Sequence, residues 1–183
     1  MAEDRSTTPE GAGTETSPVP MPQDDVDFGQ AHVLVVDDNP QNIELLEAYL
    51  DALPCSVVST TNGIEALEIV HQQPQPDIVL LDVMMPKMSG FEVCRKMKAD
   101  PTTRDIPVIM VTALNEVGDV ERGVESGTDD FLSKPFNKLE LLTRVKSLLR
   151  MRLLKRKLDE YVPQHQRDMD RRANVDEQTR VED

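Results

Sequence analysis

Asp77-Ile78-Val79-Leu80-Leu81-Asp82 decides the fold of this chain. A run this short and this apolar reads as a strand buried on both faces of a parallel sheet. Three further runs end in the same way. His32-Val33-Leu34-Val35-Val36 leads into Asp37-Asp38, Pro107-Val108-Ile109-Met110-Val111 into Thr112, and Phe131-Leu132-Ser133 into Lys134-Pro135. If these strands are parallel, their C-terminal ends share one rim, and that rim carries three carboxylates, one hydroxyl and one ammonium.

The segments between the strands read as helices. After Asp37-Asp38, Asn39 is placed as an N-cap with Pro40 at the first helical position, and Ile43, Leu45, Leu46, Tyr49 and Leu50 supply an apolar face that closes near Leu53 before Pro54. Ser56–Thr60 is a short second strand. Asn62-Gly63 turns into a helix carrying Ile64, Leu67, Ile69 and Val70, which Pro74 and Pro76 end. Beyond Asp82, Val83–Gly90 is a loop with Pro86 and Gly90 as breakers, and Phe91–Ala99 is a third helix. A fourth helix over 116–126 has few apolar anchors (Val117, Val120, Val124), and Gly127 is placed as its C′ glycine. Five strands alternating with helices predict an α/β fold, a doubly wound five-stranded parallel sheet of the flavodoxin-like order 2-1-3-4-5, with its crevice between strands one and three. Asp37-Asp38 and Asp82 end those two strands.

The last helix is predicted to overrun the domain. From Lys138 to Val162 there is no Gly or Pro, and Leu141, Val145, Leu148, Met151, Leu154, Leu158 and Tyr161 recur at threes and fours, a heptad-like but imperfect spacing. Residues 144–157 hold seven Lys or Arg and no acid, which reads as a solvated face whose partner is acidic protein surface, this chain's own N-terminal stretch included. The expected organisation is a disordered acidic tail over 1–30, a folded domain over 31–150, a continuation of the last helix over 151–163 that Pro163 terminates and that suits a coiled-coil dimer, and a disordered polar tail over 164–183.

Composition narrows the function. A formal charge of −14 argues against general affinity for nucleic acid or anionic membranes. No apolar stretch approaches membrane-spanning length and there is no signal-peptide pattern, so a cytoplasmic protein with no membrane insertion is expected. Cys55 and Cys94 lack a C-x-x-C spacing and read as free thiols.

The rim suggests a chemistry. A carboxylate can attack a phosphoryl group to give an aspartyl phosphate, and phosphoryl transfer depends mainly on positioning and on neutralising charge spread over three oxygens. Crowded acids repel one another until a hard divalent cation joins them, and Mg²⁺ takes oxygen ligands. Asp38 and Asp82 can each offer an oxygen, Asp37 can act through water and a backbone carbonyl past Asp82 can add another. Lys134 can neutralise a phosphoryl oxygen and Thr112 can donate a hydrogen bond to it.

The motifs Val35-Val36-Asp37-Asp38-Asn39, Leu81-Asp82-Val83-Met84-Met85-Pro86-Lys87-Met88-Ser89-Gly90-Phe91, Val111-Thr112-Ala113 and Gly127-Thr128-Asp129-Asp130-Phe131-Leu132-Ser133-Lys134-Pro135-Phe136 resemble those of the receiver (CheY-like) domain of two-component response regulators, over 31–150. The resemblance implies that Asp82 accepts phosphate from a histidine kinase or a histidine phosphotransfer protein. It implies Mg²⁺ on Asp38, Asp82 and the backbone carbonyl of Met84, with Asp37 in support, and Thr112 and Phe131 as the switch pair. It implies Lys134 as the phosphoryl-binding lysine and a cis Lys134-Pro135 bond. Phe131 stands where Tyr is frequent, so its ring donates no hydrogen bond. The implied protein is a signalling switch rather than an enzyme, limited to self-phosphorylation from a donor and slow self-dephosphorylation. A stand-alone switch acting through protein contacts or dimerisation is the first reading, because few residues follow the long helix. The second is the receiver part of a larger regulator lacking its cyclase, phosphodiesterase or DNA-binding output. A haloacid-dehalogenase-like hydrolase is disfavoured, because such sites resemble D-x-D and the residue two beyond Asp82 is Met84.

Overall fold

The computed structural model describes residues 26–113 and 117–179. A 3₁₀ turn at Phe28–Gln30 precedes β1 (His32–Val36), α1 (Pro40–Leu50), β2 (Ser56–Thr60), α2 (Gly63–Ile69), β3 (Ile78–Asp82), α3 (Gly90–Ala99), β4 (Val108–Thr112), α4 (Val117–Ser126), β5 (Asp130–Ser133) and α5 (Lys138–Thr179). All neighbouring strands pair parallel, in the predicted order β2-β1-β3-β4-β5.

Successive side chains on a strand point to opposite faces. Val33, Val35, Ile78, Leu80, Ile109, Val111 and Leu132 meet Leu46 and Leu50 of α1 and Leu141, Val145, Leu149 and Leu153 of α5 on one face. Leu34, Val36, Val79, Leu81, Val108 and Met110 meet Ala66 of α2 and Val93, Cys94 and Met97 of α3 on the other. Because both faces are covered, every residue of β3 and β4 is buried, whereas β2, on the edge, alternates with exposed positions. The cysteines are free, and burial raises both thiols above their ordinary range.

Local chemistry sets the helix starts. The Asn39 side chain accepts from Gln41 N with Pro40 in the first turn, and Asn62 accepts from Glu65 N. Ser89 and Glu92 form a reciprocal capping box at α3. Gly127 follows α4 at φ +83°, a left-handed conformation that suits glycine. Lys134-Pro135 is cis; so is Gln73-Pro74, for which the sequence offered no sign.

The predicted boundaries need correction. The disordered segment over 1–30 does not extend that far: Asp27 caps the turn Phe28–Gln30, and Val26 and Phe28 pack against the α1/α5 core. Residues 1–25 lie outside the described residues. Helix α1 ends at Leu50, with Leu53 buried in the turn that follows. The packed domain does not stop at 150 either, because Leu153 is buried. Pro163 does not terminate α5, which runs on to Thr179 through the expected polar tail. A proline removes one backbone donor at a cost of about 3 kcal/mol. The residues after it contain no further Pro or Gly and include helix formers such as Gln, Arg, Met and Ala.

Candidate functional site

Sheet register builds the rim. Val36 pairs with Leu81, Asp82 with Val111 and Thr112 with Ser133. Asp37, Asp82, Thr112 and Lys134 therefore gather at the C-terminal edge of β1, β3, β4 and β5. Lys134 crosses this edge. Its Nζ donates to Asp82 Oδ1 at 2.8 Å and to Asp37 Oδ2 at 2.9 Å. The Lys134 N–H donates to the Thr112 carbonyl at 2.7 Å, which fixes where the lysine leaves the sheet.

Asp82 is buried at 6% exposure, and its second oxygen accepts from Met84 N at 2.7 Å. Burial pushes the Asp82 carboxyl above its ordinary range. The hydrogen bond and charge of Lys134 oppose that rise, the charge of Asp37 adds to it, and the Met84 N–H opposes it. Burial alone would lower the Lys134 ammonium; its hydrogen bonds to Asp82 and Asp37, with their charges, more than offset this and hold it above the lysine range. The pair therefore keeps its cation but ionises its acid at a cost.

Asp37 is buried too, and held on both oxygens. Oδ1 accepts from Asn39 N, and the Asn42 carboxamide donates to Oδ1 at 2.9 Å and Oδ2 at 3.0 Å. Asp38 is exposed beside it, and Met84 is exposed above Asp82. Thr112 is buried on β4, and Phe131 is half-buried on β5. Phe131 pairs with Met110 and Ser133 with Thr112, so Phe131 and Thr112 project from the same face of the sheet. The Phe131 ring lies against α4 at Gly123, where a Cβ would stand 2.1 Å from it. In the described part of α4, Gly123 and Ser126 are buried and Val124 is exposed, so that part offers little apolar anchorage beside the ring.

Two contributors escaped sequence reasoning. Asn42 had no motif to mark it. Gly90 was legible as a loop breaker and as part of the receiver-like motif, but its contact was not: a Cβ there would stand 2.2 Å from the Asp82 carbonyl oxygen. Glycine lets the first turn of α3 press against the backbone of the central acid, with Gly90 N donating to Val83 O.

Among the described residues no three His, Cys, Asp or Glu side chains form a closed metal cage. Mg²⁺ does not need one, since it keeps several waters and uses one or two carboxylates. Three rim carboxylates against the Lys134 ammonium leave an excess of two negative charges. Burial is the chief reason that Asp82 resists ionisation, and the charge of Asp37 adds to it. The donor set fits a divalent cation by its chemistry: Asp38 and Asp82 can supply carboxylates, and Met84, whose N–H already meets Asp82, can supply a backbone carbonyl.

The predicted basic face of α5 is partly consumed within the domain. Arg144 pairs with Asp130 and Glu140, Lys155 with Asp105 and Arg156 with buried Asp77. The expected partner over residues 1–25 lies outside the described residues. Among the described residues no helix is long and apolar enough to cross a membrane.

Comparison with known proteins places these features in company. Residues 33–146 match the family described as response regulator receiver domain. The response regulator PleD of Caulobacter vibrioides is 52% identical over 124 residues, which cover 68% of this chain and 27% of PleD. The match thus spans about a quarter of that relative's length. The signal receiver domain of a histidine kinase from Syntrophus aciditrophicus superposes with a TM-score of 0.62 at 38% identity, covering 66% of this chain and 90% of that one. The receiver domain of the sensor histidine kinase PA1611 from Pseudomonas aeruginosa, solved with magnesium coordinated in its active-site cleft, superposes with a TM-score of 0.59 at 32% identity, covering 65% and 97%.

Proposed function

The chain belongs to the response regulator receiver domain family, and from that premise we propose that it is a phosphorelay switch whose acceptor is Asp82. The donor is the phosphohistidine of a histidine kinase or a histidine phosphotransfer protein. A carboxylate oxygen of Asp82 attacks phosphorus, the P–N bond to the donor imidazole breaks, and an acyl phosphate remains. The observation that carries this is the hold on Asp82: Lys134 Nζ at 2.8 Å on one oxygen and Met84 N at 2.7 Å on the other, at the end of the central strand.

Each neighbour then has a task. Lys134 already bridges two acids and is placed to follow the charge onto a phosphoryl oxygen. Asp38, Asp82 and the Met84 carbonyl would hold Mg²⁺, with Asp37 in support, and the ion would neutralise phosphoryl charge. Thr112 would donate its hydroxyl to the phosphoryl group. Phe131 would turn inward into the space that the hydroxyl leaves, drawing on α4, whose contact with the ring is the side-chain-free Gly123. The protein turns over no substrate beyond accepting phosphate and losing it slowly.

The output is a protein contact or a dimer in the cytoplasm. Met151, Leu154 and Leu158 are exposed along α5 at spacings of three and four, a stripe suited to a second helix. Nucleic acid is a poor partner, since three cations of the basic face are paired with the domain's own acids. A receiver portion of a larger regulator is the second reading, supported by the match to about a quarter of PleD. The deciding experiment is molar mass by light scattering with and without Mg²⁺ plus beryllofluoride, a phosphoryl mimic, beside phosphate incorporation into wild type and Asp82→Asn. Loss of incorporation in Asp82→Asn supports the acceptor; full incorporation overturns it. A mass change that needs Asp82 supports association through α5.

A further inference from the structure

At the end of the sheet opposite the acid rim, a recess of about 410 Å³ opens between the starts of β1 and β3, the turn at Gln73–Gln75, and α5. Its polar lining residues include Arg152, Arg156, His32, Asp77, Gln73 and Gln75. Three of these six side chains, those of Asp77, Arg156 and Gln75, are already committed. Asp77 is buried, with one oxygen accepting from Arg156 Nη1 and the other from His32 N at 3.0 Å. Gln75 Nε2 donates to the carbonyls of Val70 and Thr102, so this residue is wall rather than ligand.

Arg152 is different. Its Nε is buried and has no hydrogen-bond partner among the described residues. A guanidinium stays charged at any physiological pH, and a buried donor left without an acceptor forfeits the hydrogen bond that water would have given it. The Asp105 carboxylate feels the charge of Arg152 but is already held by Lys155 Nζ at 2.9 Å. With Asp77 offset by Arg156 and Asp105 by Lys155, the recess keeps a surplus of positive charge, a positive hollow in a chain of net charge −14. A water can accept one hydrogen bond but brings no charge. An oxyanion brings both, and can present two oxygens to the planar fork of the guanidinium.

We infer that this recess is a binding site for a small oxyanion, a phosphate or carboxylate group, with Arg152 as its principal ligand and Arg156, braced by Asp77, as the second cation. Five residues of strand separate the recess from the rim, about 16 Å at 3.3 Å per residue, so the site is independent of Asp82. The site also joins elements that are distant in sequence. An anion held there would tie α5 to the starts of β1 and β3 at the point where the helix leaves the domain.

The test is a nuclear magnetic resonance titration of the full chain, reading the arginine Nε–Hε signals. The probes are sodium phosphate and sodium succinate, with sodium chloride at matched ionic strength as control. The inference expects the Arg152 signal to move saturably with phosphate, with succinate or with both, and not with chloride; the responding salt assigns the ligand class. Arg152→Lys keeps the charge and the stem but removes the fork, and binding should weaken by about tenfold or more. No saturable shift, an equal response to chloride, or undiminished binding by Arg152→Lys would overturn the site. Phosphate incorporation at Asp82, measured on the same variant, should stay intact, which keeps a failure here separate from a failure at the rim.

Discussion

Replacing Lys134 by Met keeps the aliphatic stem and removes the charge that bridges Asp37 and Asp82. Both carboxylates are almost wholly buried, while the lysine is 23% exposed. Removing one partner of a buried ion pair costs about 3–5 kcal/mol, and the water that reaches Lys134 favours the lower end, about 3 kcal/mol at neutral pH. For a domain of this size each kcal/mol moves the melting temperature by about 4 °C, so a fall of about 12 °C is expected. The loss should shrink in acid. Asp82 already titrates above its ordinary range, and without Lys134 it would rise further. The variant therefore regains stability relative to wild type as pH falls and the acid takes up a proton. Added Mg²⁺ should restore part of the loss at neutral pH, because a cation can replace the missing charge between the acids. Urea unfolding at several pH values, with and without Mg²⁺, measures all of this. A loss below about 0.5 kcal/mol, or a loss independent of pH, would refute the claim that the rim acids depend on this ammonium.

Other perturbations test other links. Because Asp82 is raised in the folded state, the native protein binds more protons than the unfolded chain between the ordinary aspartate range and the raised value, so wild-type stability should fall as pH rises through that window. Asp82→Asn should flatten the fall, and melting curves across acidic pH will show whether it does. Gly90→Ala drives a Cβ into the Asp82 carbonyl and should cost about 3 kcal/mol by overpacking, with reduced phosphate incorporation; an unfolding curve matching wild type would remove Gly90 from the site. Leu153→Ala, beyond the expected domain boundary, should cost about 2–4 kcal/mol because the residue is buried in the α1/α5 core. A loss under about 1 kcal/mol in urea unfolding would return the boundary to 150.

Much of this architecture can be read in one dimension because burial on both faces leaves a plain signature. β3 and β4 are apolar at nearly every position, and that run, ending in Asp82 or Thr112, gave both the strand and the rim. Asn39-Pro40 and Gly127 marked helix ends through local chemistry alone. What could not be read depends on approach between segments far apart in sequence. Arg156 and Asp77 are 79 residues apart, and only the folded sheet shows that a buried acid needs that arginine. The close approach of Gly90 to the Asp82 backbone, where a Cβ would stand 2.2 Å from the carbonyl oxygen, is a contact made only in the folded chain. Val26 and Phe28 were lost in an acidic composition, although two apolar side chains suffice to secure the chain to the core.

One helix serves two mechanical roles. From Leu141 to Leu153, α5 is part of the wall against which the sheet packs, and the same uninterrupted element continues to Thr179. Lys155 and Arg156 still tie it to Asp105 and Asp77, and the stretch beyond Arg156 is about 35 Å long at 1.5 Å per residue. It has the geometry of a lever whose fulcrum lies at the edge of the core: a tilt of about 5° at Arg156 would carry its far end by about 3 Å. A repacking too small to disturb the sheet would thus arrive at the tip as a displacement the size of an atom, enough to bring two surfaces into register or to part them.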